Sequence, residues 1–152
     1  DHGTWSVLRH IYPEGQIPVT QISIPSDYTP TQQWELGKKL ALLRHEGYLI
    51  MGSGNIIHNL GLMDQRLENQ GATWAEQLRV QISQALINRD DQKLIHFEQF
   101  GPDIHKAFRT TEHYYPLLTV LGAAEGETNI QLFNDHCVFG SLSMTSVIIG
   151  LV

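Results

Sequence analysis

Leu49-Ile50-Met51-Gly52-Ser53-Gly54-Asn55-Ile56-Ile57-His58-Asn59-Leu60 is the stretch whose reading decides the fold. Its apolar start reads as a short buried strand, and Gly52, Ser53, Gly54 and Asn55 break that strand so that His58 falls just past its end. In open α/β sheets ligands bind beyond the carboxyl ends of the strands. The glycines tolerate positive φ and leave room for a ligand or metal near the backbone, while the imidazole can be base, acid or ligand. A Gly-rich turn followed by a half-buried histidine explains these residues alone equally well, because sites rather than folds define function.

Working outward, the segment Ile17-Pro18-Val19-Thr20-Gln21-Ile22-Ser23-Ile24 is rich in β-branched residues and reads as a strand from Val19 to Ile24, bounded by Pro18 and Pro25. Thr29-Pro30-Thr31-Gln32 has a capping-box pattern with Pro at the first helical position, and Trp34, Leu36, Leu40 and Leu43 keep a helical period until Gly47. Strand, helix and strand with short connections predict a βαβ unit, with Val19 to Ile24 parallel to Tyr48 to Met51 and a right-handed crossover. The fold class expected is therefore α/β, a central sheet flanked by helices.

Before this unit, Trp5, Leu8 and Ile11 suit one or two helical turns ended before Pro13. After it, Thr73-Trp74-Ala75-Glu76 resembles a second capping box that opens a helix through Leu78, Ile82, Leu86 and Ile87. Asp91 to Phe100 and Asp103 to Phe108 read as short covering helices, the latter opened by Pro102. Thr111 to Gly122 is an apolar helix with His113 in its first turn, where Pro116 is still tolerated. Asn129 to Phe133 and Ser143 to Ile149 are strand-like, and the latter suits a central position.

With 152 residues the chain fits one domain able to bury a sizeable core. A net charge of -6 with ten Lys and Arg argues against a nucleic-acid partner. No apolar run reaches the roughly 20 residues of a membrane span. Cys137 has no internal partner, which is compatible with a reducing cytoplasm. The chain opens on Asp1-His2-Gly3-Thr4-Trp5 and reads as cut rather than begun.

Of eight histidines, His10, His45, His96, His105 and His136 read as surface residues. His2 and His58 lie beside glycines or in turn-like settings, and His113 opens an apolar helix beside Glu112. Imidazole suits iron or zinc, but the spacing carries no compact signature. Gly52-Ser53-Gly54 lacks the spacing of a nucleophile elbow, and the same glycines fail the dinucleotide pattern.

Four motifs in order, Asp1-His2-Gly3-Thr4-Trp5-Ser6-Val7-Leu8, Gly52 to Leu60, Glu112-His113-Tyr114-Tyr115-Pro116-Leu117-Leu118 and Gly140-Ser141-Leu142-Ser143-Met144, resemble the carboxyl-terminal half of a LigB-type class III extradiol ring-cleavage dioxygenase, in the 4,5-DOPA dioxygenase branch. The resemblance covers essentially all of residues 1–152, which are then a partial single domain. It implies a non-haem Fe(II) enzyme, zinc sometimes standing in the metal position, that inserts O₂ into a catechol such as DOPA. It implies further that His113 is a metal ligand, that His58 is a ligand or the catalytic acid/base, and that His2 lines the substrate pocket. Such chemistry is sensible: a divalent metal can hold diol and O₂ side by side, and an imidazole can move a phenolic proton.

The resemblance also implies an amino-terminal half with further ligands and the first strands of the sheet, to which nothing here corresponds. The chain is accordingly expected to be a fragment or a truncated product, with an exposed sheet edge or apolar face for a complementary half or a second copy. Two other readings come from different classes. One is a non-catalytic binding domain of the same fold; the other is a zinc hydrolase, which needs an open coordination position and a carboxylate base.

Overall fold

The computed structural model describes residues 2–150, with His2 described by its backbone alone. Helices α1 (His2–Ile11), α2 (Pro30–His45), α3 (Thr73–Ile87), α4 (Asp91–Ile95), α5 (Ile104–Ala107) and α6 (Tyr115–Ala123) precede four short strands, β1 (Ile130–Phe133), β2 (Cys137–Val138), β3 (Leu142–Ser143) and β4 (Ser146–Ile149). The fold is mixed helix and sheet, as expected.

The sheet differs from the expectation. β1 pairs antiparallel with β4 and β2 antiparallel with β3, and among the described residues these are the only sheets. The parallel βαβ unit does not form, for Val19 to Ile24 and Tyr48 to Met51 belong to no strand or ladder. A strand takes its ladder hydrogen bonds from a neighbouring strand, and among the described residues no ladder includes either segment. Ser143 to Ile149 is divided between β3 and β4 at the edge of two small sheets and is not central.

Buried side chains concentrate downstream of residue 55. Leu78, Ile82 and Leu86 of α3 meet Leu94 of α4, Ile104 of α5 and Leu118 and Leu121 of α6, with Ile57 and Tyr114 fully enclosed among them. The Tyr114 hydroxyl donates to the Leu94 carbonyl at 2.8 Å, and burial pushes its pKa well above the usual phenol range. Ile87, the last residue of α3, is exposed.

α2 is attached to this body through α6. Its capping box forms as read: Thr29 Oγ1 accepts from the Gln32 backbone N–H, and the Thr29 N–H donates to Gln32 Oε1. At its other end Gly47 adopts φ +86°, a left-handed conformation suited to glycine. A Cβ on Gly37 would strike the Thr119 carbonyl, and one on Gly122 the Trp34 carbonyl, so paired glycines let the two backbones approach. Gln33, buried in that crossing, donates to Thr119 Oγ1 at 2.6 Å.

Two helical readings are refined. Asp91 to Phe100 is broken at His96 into α4 and a 3₁₀ turn, and Thr111 to Gly122 is broken at Tyr114, so that His113 ends a 3₁₀ turn ahead of α6. Thr73 caps nothing: the residue preceding α3 is Ala72, which makes no side-chain cap, and Glu76 Oε1 instead reaches back to the Gly71 N–H at 3.1 Å.

Candidate functional site

Asn55 to Asn59 is threaded between two other segments. The Asn55 N–H donates to the His113 carbonyl, the His58 N–H to the Ala107 carbonyl at 2.6 Å, the Asn59 N–H to the Ser141 carbonyl, and the Ser143 N–H to the Ile57 carbonyl. Two amides complete the seam: Asn55 Nδ2 donates to the Ser143 carbonyl and Asn59 Nδ2 to the Lys106 carbonyl, each at 2.8 Å. Ser141 Oγ, fully buried, donates to the Asn59 carbonyl. His58 thus sits in a stretch whose backbone is held from both sides, with single bridges to Phe108 and Leu142.

The glycines ahead of it act through size. Neither Gly52 nor Gly54 has positive φ. A Cβ on Gly54 would collide with the His113 carbonyl, and one on Gly52 would lie 2.7 Å from the Pro116 carbonyl. The close approach these glycines permit is to the turn carrying His113 and the start of α6, not to a ligand.

That approach brings the two histidines together. The His58 and His113 rings stack with centroids 3.7 Å apart and planes 22° from parallel. Burial, then the charge His113 would carry, hold His58 below the usual imidazole pKa, against the opposing Glu112 carboxylate. His58 is therefore neutral at neutral pH, with a lone pair free to bind a metal or take a proton. Glu112 itself is held below the usual carboxylate range by a Thr110 hydrogen bond first, with smaller contributions from both imidazoles.

The pair has the donor chemistry of a metal site but does not make one alone. Among the described residues no third His, Cys, Asp or Glu joins to form a ligand group. The ring spacing is also short: with metal–nitrogen bonds of about 2.1 Å, two imidazoles on one octahedral or tetrahedral ion hold their centroids about 4.5 Å apart or more. Clasping one ion would open the stacked pair by about 1 Å.

Of the residues singled out in the sequence, His58 and His113 converge; His2 opens α1, and its side chain lies outside the described residues. His10, His45, His96, His105 and His136 are exposed, as read. The sequence reasoning missed Asn59 as an organiser of the site, along with Asn55 acting as an amide clamp and Ser141 as a buried donor. Their partners lie 47 to 88 positions away, beyond any local pattern.

Comparison with known proteins agrees with this seam of motifs. Residues 1–150 match the family model described as the catalytic LigB subunit of aromatic ring-opening dioxygenase. The chain is 36% identical to the 4,5-DOPA dioxygenase extradiol of Escherichia coli (strain K12), covering 99% of this chain and 56% of that protein. It is 34% identical to the protein of the same name from Beta vulgaris, covering 96% and 54% respectively. The crystal structure of an uncharacterized protein from Escherichia coli K12 superposes with a TM-score of 0.87 at 35% identity, covering 99% of this chain and 62% of that one. The chain spans about half the length of the curated relatives it matches.

Proposed function

Because this chain belongs to the LigB family of aromatic ring-opening dioxygenases, we propose that it contributes His58 and His113 to an extradiol centre that opens a catechol ring such as that of DOPA with O₂. The observation that carries the reading is the stacking of two imidazoles delivered by separate, tightly seamed segments. The cofactor proposed is a non-haem divalent metal, Fe(II), with zinc able to occupy the same donors; when bound, it would hold diol and O₂ side by side. Two imidazoles are too few and too closely stacked to retain it, so the remaining ligands come from outside the described residues, from a complementary amino-terminal half.

The roles follow from position. His113, at the turn before α6, is the metal ligand. His58, neutral at working pH and fixed through its own backbone, takes the second phenolic proton and returns it on ring opening. His2 is assigned to the substrate pocket. Cys137, the single and fully buried thiol, is in keeping with a reducing compartment such as the cytoplasm.

The experiment is metal analysis and catechol-dependent O₂ uptake on the native protein and two variants. His113→Ala should abolish metal retention, whereas His58→Ala should lower turnover by about 10² to 10⁴ and spare more of the metal. Full metal and full activity in His113→Ala would overturn the assignment. The donor shortage favours a second reading, a binding domain of the same fold without ring-cleavage activity. Native protein that holds no iron and consumes no O₂ with any catechol would establish that reading instead.

A further inference from the structure

β3 holds the segment that carries His58, and something must in turn hold β3. The Ser143 N–H donates to the Ile57 carbonyl, the Ser143 carbonyl accepts from Asn55 Nδ2, and Leu142 bridges to His58. A two-residue strand paired with an equally short neighbour, β2, is marginal by itself. The Ser143 side chain supplies a second attachment. Ser143 is buried, its Oγ lies 2.7 Å from Thr145 Oγ1, and it accepts from the Thr145 N–H at 3.2 Å. Thr145 Oγ1 donates in turn to Asp135 Oδ1 at 2.9 Å. A hydroxyl has one proton to give and a carboxylate only accepts, so the direction is fixed: Ser143 donates to Thr145 and Thr145 to Asp135.

The path ends on α3. Ser83 Oγ donates to the same Asp135 oxygen at 2.9 Å, and Arg79 Nη1 pairs with the other at 2.7 Å. Arg79 is itself fixed by Glu76 at 2.8 Å and Ser83 is buried, so the carboxylate is anchored to the helix whose Leu78, Ile82 and Leu86 lie in the core. We propose that Asp135 and Thr145 are positioning residues: through Ser143 they fix the strand that sets His58 against His113. The two rings stand with centroids 3.7 Å apart, a spacing that a small shift of β3 would disturb, and misplacing a catalytic group by about 1 Å costs about 10²-fold in rate. This role deepens the proposed function and rests on it for the purpose of the histidine pair, not for the geometry.

The test compares Thr145→Val, which keeps the shape and loses the hydroxyl, with Thr145→Ser, which keeps the hydroxyl, each in the whole chain. Thr29→Ala, which removes the cap of α2, is the control for lost stability away from the site. NMR at a single pH above the imidazole range reads the ring-proton shifts of His58 and His113, which stacking displaces, and amide exchange reads the Ser143 and His58 N–H groups against the core amides of α3. Thr145→Val should move the ring shifts toward those of free histidine and speed exchange of the two amides about five- to tenfold relative to α3. Thr145→Ser should restore both measurements, and Thr29→Ala should leave the ring shifts and the relative exchange unchanged. Unmoved ring shifts in Thr145→Val, an equal displacement in Thr29→Ala, or failure of serine to restore the shifts would each overturn the inference. Neither metal nor catechol is added, so rings that respond as expected in a protein that consumes no O₂ uphold the positioning role and refute the catalytic reading alone.

Discussion

Two stretches of similar composition meet opposite fates. Ile56 and Ile57 lie at 6 and 0% exposure in a segment bonded to Ala107, Ser141 and His113. Ile22 and Leu49, from equally apolar segments, stand at 53 and 70%. Intrinsic β preference is much the same in both, so the difference lies in whether a neighbour is available to complete the backbone. α1 belongs with the second group, packing extensively on no other element among the described residues, and Trp5, Val7 and Ile11 are exposed along it.

The largest effect should come from truncating the two kinds of isoleucine. Ile57→Ala removes a fully buried side chain and should cost about 2–5 kcal/mol in urea unfolding. Ile22→Ala should change stability by no more than about 0.5 kcal/mol in the isolated chain. Equal losses would mean that residues 17–24 already pack on the body, which would remove the contrast.

Next comes Gly54→Ala. The added methyl meets the His113 carbonyl, so the seam must widen, at a cost of about 1–3 kcal/mol. The loss should appear first as faster exchange of the Asn55 amide, which donates to that carbonyl. Gly15 has open space where a Cβ would stand but a φ of +60°, so Gly15→Ala should act through backbone strain alone and leave the Asn55 amide unchanged.

Acid should loosen the body through α3 and the loop after β1. Burial works against ionised Asp135, but Arg79 at 2.7 Å, Thr145 and Ser83 outweigh it and hold the carboxyl below its ordinary value. A carboxyl whose pKa is depressed by folding stabilises above its unfolded value of 3.8, and that stability is lost as pH falls through the lower folded value. His58, also depressed, adds a loss beginning as pH falls below 6.5, because the unfolded chain then binds the proton more readily. Asp135→Asn should flatten the acid limb of the stability curve and His58→Ala the limb near neutrality; exchange of these two effects would refute the assignments.

What the sequence disclosed follows the same division. Helices were legible where local chemistry decides them, as at Thr29 with Pro30 or at Gly47, and the convergence of His58 with His113 was legible through the motifs flanking them. The parallel sheet was not realised, because strand character is readable locally while a ladder needs a partner. The seam itself was invisible: nothing near Asn59 in sequence announces that its amide reaches Lys106, or that Ser141 returns a bond to it.

The smallest effect separates two capping boxes that read alike. Thr29-Pro30-Thr31-Gln32 and Thr73-Trp74-Ala75-Glu76 both place Thr three residues before Gln or Glu, yet only the first closes reciprocally. In the second the helix begins a residue early, with Thr73 as its first residue after Ala72, and the Thr hydroxyl is not where an N-cap acceptor must be. Glu76 takes over by accepting from the Gly71 N–H and pairing with Arg79 at 2.8 Å. Thr29→Ala should therefore cost about 1 kcal/mol, and Thr73→Ala no more than about 0.5 kcal/mol. Glu76→Ala should cost about as much as Thr29→Ala, because it leaves the Gly71 N–H without its acceptor. Urea unfolding of the three variants decides it, and a Thr73→Ala loss as large as that of Thr29→Ala would show that the second box closes in solution after all.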